Sequence, residues 1–218
     1  MDYYRLHPWT TDINEAREIQ IRLRKRLILA KIPKNIKRIA AADVAYEEDD
    51  RVYGVVAVFD FPSLKVLEVK TASMKTKMPY IPGLLSFREG PCLIKAFSKI
   101  KSDPDVILFD AHGIAHPMRM GVATHMGILL DKPTIGCAKS PLTGLYKEPK
   151  KEKGSYSYLF SDGGVVGAVV RTKDSVKPVF VSPGYKMIIK DAVELILDTC
   201  RRYRIPEPLR YVHMLSVK

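Results

Sequence analysis

The sequence predicts one α/β domain built on a mixed β-sheet flanked by helices. Three observations carry that reading. Three strand-like runs joined by short polar links precede the first internal helix, and later strand-like runs alternate with helical ones. The 218 residues, 46% hydrophobic and 28% charged, suffice for one buried core. A single domain spanning 1–218 is expected, with no internal repeat or low-complexity tract.

The elements follow in order. "TDINEAREIQIRLRKRLILAKIP" is an amphipathic helix: Asp12 caps it with Glu15 three residues later, and Ile13, Ala16, Ile19, Leu23, Leu27 and Ala30 recur at helical spacing. Pro33 is expected to stop it. "RIAAADVAY", "VYGVVAVFDF" and "VLEVKTASM" are strands, and the turn-rich links "EEDDR" and "PSLK" make an antiparallel meander. "PCLIKAFSKIK" is helical, with Pro91 in its first turn. "DVILFDAHG" is a buried strand ending at Asp110, "MRMGVATHMGILLD" a helix and "PTIGCAKS" a short strand. "YSYLF", "GVVGAVVRT" and "PVFVSPG" form a second group of strands, before the long helix "YKMIIKDAVELILDTCRRY" and a last helix in "RIPEPLRYVHMLS".

Composition narrows the function. A net charge of +12 with a pI near 9.5 favours a polyanionic partner, and the basic residues gather in Arg22–Arg38 and Lys147–Tyr156. The longest apolar runs fall short of a bilayer span, so no membrane association is expected. The start "MDYYRLHPWTTD" lacks a basic region followed by an apolar one, as an export signal would need. Cys92, Cys137 and Cys200 form no CxxC pair, which suits reduced thiols in the cytoplasm. There is no Walker loop, and Gly113 and Pro117 argue against a helical zinc site from His112 and His116.

Three carboxylates sit where burial is costly. Asp43 interrupts an apolar strand, Asp110 closes another, and Glu89 lies just before Pro91 at a helix start. Each needs a compensating cation, either a Lys or Arg or a divalent metal such as Mg²⁺ or Mn²⁺. Asp110 also stands at a strand carboxyl end, where ligands gather in open α/β sheets. The loop "KMPYIPGLLSFREGP" is stiff and apolar and leads into Glu89. Taken by itself it can be a tight turn covering the core.

An acid in the first strand, one at the next helix and one ending a later strand is the layout of the ribonuclease H-like fold. The runs "AAADVAY", "PYIPGLLSFREGP", "FDAHGIAHPMRMGVATHMG", "GCAKS" and "RIPEPLRYVH", in that order from about Arg38 to His213, resemble the endonuclease V family of deoxyinosine-directed repair nucleases. The resemblance implies a metal-dependent enzyme that cuts the second phosphodiester bond 3′ to deoxyinosine, leaving 3′-hydroxyl and 5′-phosphate ends. Asp43, Glu89 and Asp110 would hold one or two Mg²⁺ ions, with Mn²⁺ as substitute. Lys139 would touch the scissile phosphate or orient water, His213 would act as ligand or proton relay, and His116 would meet phosphate.

Pro79, Tyr80, Ile81 and Pro82 would supply a wedge that enters the opened base stack, since a damaged base must leave the stack to be read. Gly83, Leu85 and Gly113 would line the base pocket, where main-chain groups read the O6 acceptor and N1–H donor of hypoxanthine and a closed wall near C2 excludes guanine. The expected partner is DNA containing deoxyinosine, bound by a monomer. The alternatives are an inosine-specific ribonuclease acting on inosine RNA, and a basic nucleic-acid-binding protein with purely structural acids.

Overall fold

The computed structural model describes residues 1–33, 35–47 and 49–217. Its centre is one eight-stranded mixed sheet, in the order β3-β2-β1-β4-β5-β8-β7-β6. The meander β1 (Arg38–Tyr46), β2 (Arg51–Asp60) and β3 (Val66–Lys75) is antiparallel, as its short links require. β4 (Val106–Phe109) and β5 (Thr134–Ala138) run parallel to β1 on its other side, as the ribonuclease H-like layout demands. The second strand group is no separate sheet. β8 (Val179–Tyr185) joins antiparallel to β5 and carries β7 (Gly164–Val170) and β6 (Tyr156–Ser161) with it.

Both faces of the sheet are covered, which explains why β1, β4 and β5 are almost wholly apolar. α2 (Leu85–Phe97) and α3 (Val122–Leu130) pack on one face, against Ala40, Ala42, Ile107 and Phe109. α4 (Ile189–Thr199) and α5 (Glu207–Ser216) cover the other, against Ile39, Ala41, Leu108 and Val181. α1 (Ile13–Arg24) lies outside these layers and buries Ala16, Ile19 and Leu23 against Met78, Leu84 and Phe87.

Several helix boundaries differ from the expectation: α3 starts at Val122 rather than Met118, and α4 spans Ile189–Thr199, with Tyr185 in β8 and the Cys200–Tyr203 end outside the helix. Asp12 caps α1 through the Glu15 N–H, but the helix ends at Arg24, well before Pro33. Beyond it the backbone satisfies itself against tertiary partners: Ile28 O accepts from Lys186 N at 2.8 Å, and Ile32 N donates to an Asp191 carboxylate at 3.0 Å. α2 starts six residues before Pro91, so Pro91 lies inside the helix and Glu89 in its second turn, not at its start. Apolar burial of Phe87, Leu93, Ile94 and Phe97 outweighs the one backbone donor that proline removes.

Candidate active site

Register brings the two aspartates together. Ala42 pairs with Phe109 across the parallel β1–β4 ladder, and Asp43 and Asp110 stand one residue further along. Strand alternation then aims them: Ile39 and Ala41, like Leu108, face the α4–α5 layer, so Asp43 and Asp110 do too. α5 meets them there. His213 Nδ1 lies 2.9 Å from Asp43 Oδ2, and Ser216 Oγ donates to the same oxygen at 2.9 Å. One ligand atom each from Asp43, Asp110 and His213 all lie within 4.8 Å of one another. Lys139, the first residue after β5, places Nζ 2.7 Å from Asp110 Oδ2.

Glu89 reaches the same end of the sheet from the α2 layer. Tyr46 points to that layer because it sits three residues from Asp43 on a strand of period two. Its hydroxyl donates to Glu89 Oε1 at 2.7 Å. Arg88 holds the tyrosine ring from outside, with its guanidinium 4.8 Å from the ring centroid. Burial pushes the Glu89 carboxyl up to about 7; the charges of Asp43 and Asp110 act in the same sense, and the Tyr46 hydrogen bond pulls against them. Burial and the Glu89 charge push the Tyr46 hydroxyl up as well, so it stays a donor. The three carboxylates thus offer hard oxygen donors whose mutual repulsion a divalent cation would relieve.

Next to these acids lies a pocket of about 200 Å³. Tyr80, Ile81, Pro82, Gly83 and Leu85 form one side of it, and His112, His116, Met120 and Gly121 another. The loop makes a turn in which Leu84 N donates to Ile81 O at 2.9 Å, with Gly83 at φ +85°, a value that favours glycine. Gln20 on α1 braces it, donating to Gly83 O at 2.8 Å. Tyr80 projects from the loop and is 68% exposed. Pro79 is exposed beside it and does not line the pocket.

One expectation about the pocket needs correction. Gly113 is buried behind it, its N–H donating to Ser182 Oγ at 2.8 Å. A Cβ at this position would lie 2.1 Å from Pro183 O, so the glycine serves the packing of this turn on β8. Gly121 takes the place on the pocket wall that Gly113 was expected to fill. His116 is buried on the pocket wall. Its Nδ1 accepts from Met118 N at 3.1 Å, and burial pulls its imidazole down to about 4, so it is neutral near pH 7.

Sequence reasoning missed Tyr46, Ser216 and Ser86, a pocket residue on α2. Of these Tyr46 had a signal, as an aromatic hydroxyl at the end of an acid-bearing strand. The basic stretches are partly committed to the fold. Lys153 Nζ donates to Cys200 O at 2.7 Å, whereas Lys147, Lys150 and Lys151, like Arg22, Arg24 and Arg26, are exposed. Lys34, within the first basic stretch, lies outside the described residues. No helix of the described residues is long and apolar enough to cross a membrane.

The family model for endonuclease V matches residues 21–214. An endonuclease V of Dictyoglomus thermophilum is 45% identical over 218 residues, which is 100% of this chain and 95% of the relative. The crystal structure of the Bacillus subtilis endonuclease V superposes with a TM-score of 0.94 at 32% identity, covering 100% of this chain and 96% of the other. The Ciona intestinalis endonuclease V, solved in complex with a 24mer DNA containing an inosine followed by a ribo-adenosine, gives a TM-score of 0.83 at 26% identity over 94% of this chain and 96% of that one.

Proposed function

The chain belongs to the endonuclease V family of nucleases, and on that footing we propose that it hydrolyses DNA at deoxyinosine, at the second phosphodiester bond 3′ to the lesion, leaving 3′-hydroxyl and 5′-phosphate ends. One observation carries the reading: the acids and the pocket share two short chain segments. Leu85 and Ser86 line the pocket just before Glu89, and Ala111 and His112 line it just after Asp110. A base held in the pocket therefore brings its own backbone to the carboxylates.

Within this reading Asp43, Glu89 and Asp110 would hold Mg²⁺, for which Mn²⁺ could substitute, with His213 grouped closely with the two aspartates and Glu89 outside that close group. When bound, such an ion neutralises charge on the phosphoryl and departing oxygens and acidifies the attacking water. The chain does the rest. Lys139, released from Asp110, contacts the scissile phosphate or orients the water, and His213 on Asp43 relays a proton. Tyr80, stiffened by Pro79 and Pro82, fills the gap left in the stack while Gly83 and Leu85 receive the base. The enzyme acts as a monomer with a single domain over 1–218, and its three buried free thiols suit the cytoplasm.

The test is a nicking assay in Mg²⁺ on matched DNA and RNA strands that carry one inosine. DNA scission that Asp110→Asn abolishes, with inosine-DNA binding retained, is the expected result. Cleavage confined to the RNA strand would make the protein an inosine ribonuclease. Affinity without scission of either strand would reduce it to a binding protein.

A further inference from the structure

Ser86 on α2 is a pocket residue that is 2% exposed, and its hydroxyl makes one side-chain contact, to His125 Nδ1 at 3.0 Å. His125 lies fully inside the protein, and its Nε2 is 2.7 Å from Nε2 of His7. His7 Nδ1 in turn lies 2.8 Å from Pro8 O. Burial pulls both imidazoles below their usual range, so both are neutral near pH 7. Trp9 stacks on His125 with centroids 5.4 Å apart, and its ring covers Gly90, where a Cβ would lie 2.4 Å from it. The N-terminal segment thus clamps the histidine pair against α2.

The proton positions in this chain follow from its far end. A carbonyl oxygen only accepts, so His7 Nδ1 carries the proton that goes to Pro8 O. His7 Nε2 is then an acceptor, and the proton between the rings belongs to His125 Nε2. That leaves His125 Nδ1 as an acceptor, and the Ser86 hydroxyl must donate to it. Once its proton is committed, the Ser86 oxygen offers the pocket lone pairs alone.

We infer that Ser86 is a specificity-determining residue of the base pocket, an acceptor set against the N1–H of hypoxanthine, with His125 and His7 as the positioning residues that keep it one. The inference rests on the deoxyinosine reading. Adenine carries a lone pair at N1, which would face another lone pair at Ser86 and leave both unpaired in the pocket. Guanine shares the N1–H, so Ser86 separates hypoxanthine from adenine and leaves the exclusion of guanine to the space around C2.

The experiment measures binding of oligonucleotides carrying hypoxanthine or adenine at one position, without metal, and single-turnover cleavage in Mg²⁺. Wild-type protein must prefer hypoxanthine; if it does not, the deoxyinosine reading itself fails before any variant is made. Given that preference, Ser86→Ala should weaken hypoxanthine binding about tenfold, or roughly 1.4 kcal/mol, and leave adenine binding no weaker than before. Ser86→Thr, which keeps the hydroxyl, should retain the preference. His7→Phe should lower the preference by freeing His125 to change tautomer, and His7→Gln, whose amide oxygen can accept from His125, should restore it. The His7 pair carries the test should Ser86→Ala not fold. An unchanged hypoxanthine-to-adenine ratio in Ser86→Ala, or equal losses in His7→Phe and His7→Gln, would overturn the assignment.

Discussion

Tyr46 and Glu89 are joined by a 2.7 Å hydrogen bond from the last residue of β1 to the second turn of α2. The bond holds the Glu89 carboxylate while burial and the charges of Asp43 and Asp110 favour its protonation. Tyr46→Phe removes the donor and leaves the ring under Arg88. A hydrogen bond to a charged group is worth about 1.5–3 kcal/mol, so the Mg²⁺ concentration for half-maximal cleavage should rise roughly tenfold or more, and Tm should fall by a few degrees. A metal titration of the cleavage rate checks this, and an unmoved midpoint would show that Glu89 is placed by α2 alone.

Tyr80 is anchored by backbone stiffness rather than packing, since it is 68% exposed. Stacking on a base is worth about 1–3 kcal/mol, so Tyr80→Ala should weaken binding to duplex inosine DNA about tenfold. Tyr80→Phe should keep most of the affinity. Single-stranded inosine substrates should lose less, having no stack to reopen. Equal penalties on duplex and single strand, at one salt concentration, would leave the loop as a structural turn.

The exposed lysines Lys147, Lys150 and Lys151 should meet phosphate, whereas Lys153 is held by the Cys200 carbonyl. Changing the first three to Gln should lower the slope of log K against log salt by roughly one for each phosphate no longer neutralised, without altering the preference for inosine. Lys153→Gln should instead lower Tm. An unchanged slope in the triple variant would show that this loop is only a solvated face.

His116 links stability to pH. Burial pulls its folded-state value down to about 4, against about 6.5 in an unfolded chain. Between these values the unfolded chain binds the proton that the folded one refuses. Its contribution is therefore fully present above pH 6.5 and lost as pH falls toward 4, on the order of 3 kcal/mol. His125, also pulled down by burial, acts in the same direction. Urea melts across that range should show the loss, and His116→Gln should flatten it. Parallel curves for the two proteins would mean that His116 takes up its proton alike in the folded and unfolded chain.

By itself the sequence determined the fold class, the acids and the stiff loop. Their signals are local: a carboxylate in "RIAAADVAY" is costly wherever that strand goes, and two prolines stiffen "PYIP" before any partner is known. Helix ends were less legible, because α1 stops where Lys186 and Asp191 replace helical partners, and these lie more than 150 residues away in sequence. The tertiary structure alone decided which face each group shares. Register between β1 and β4 and the alternation of β1 sent Asp43 to His213 and Ser216 but Tyr46 to Glu89. Likewise a close approach of β8 turned Gly113 from pocket wall to packing residue. Ser86, His125 and His7 are far apart in the chain, and the direction of their hydrogen bonds exists only once the N-terminal segment has folded over α2.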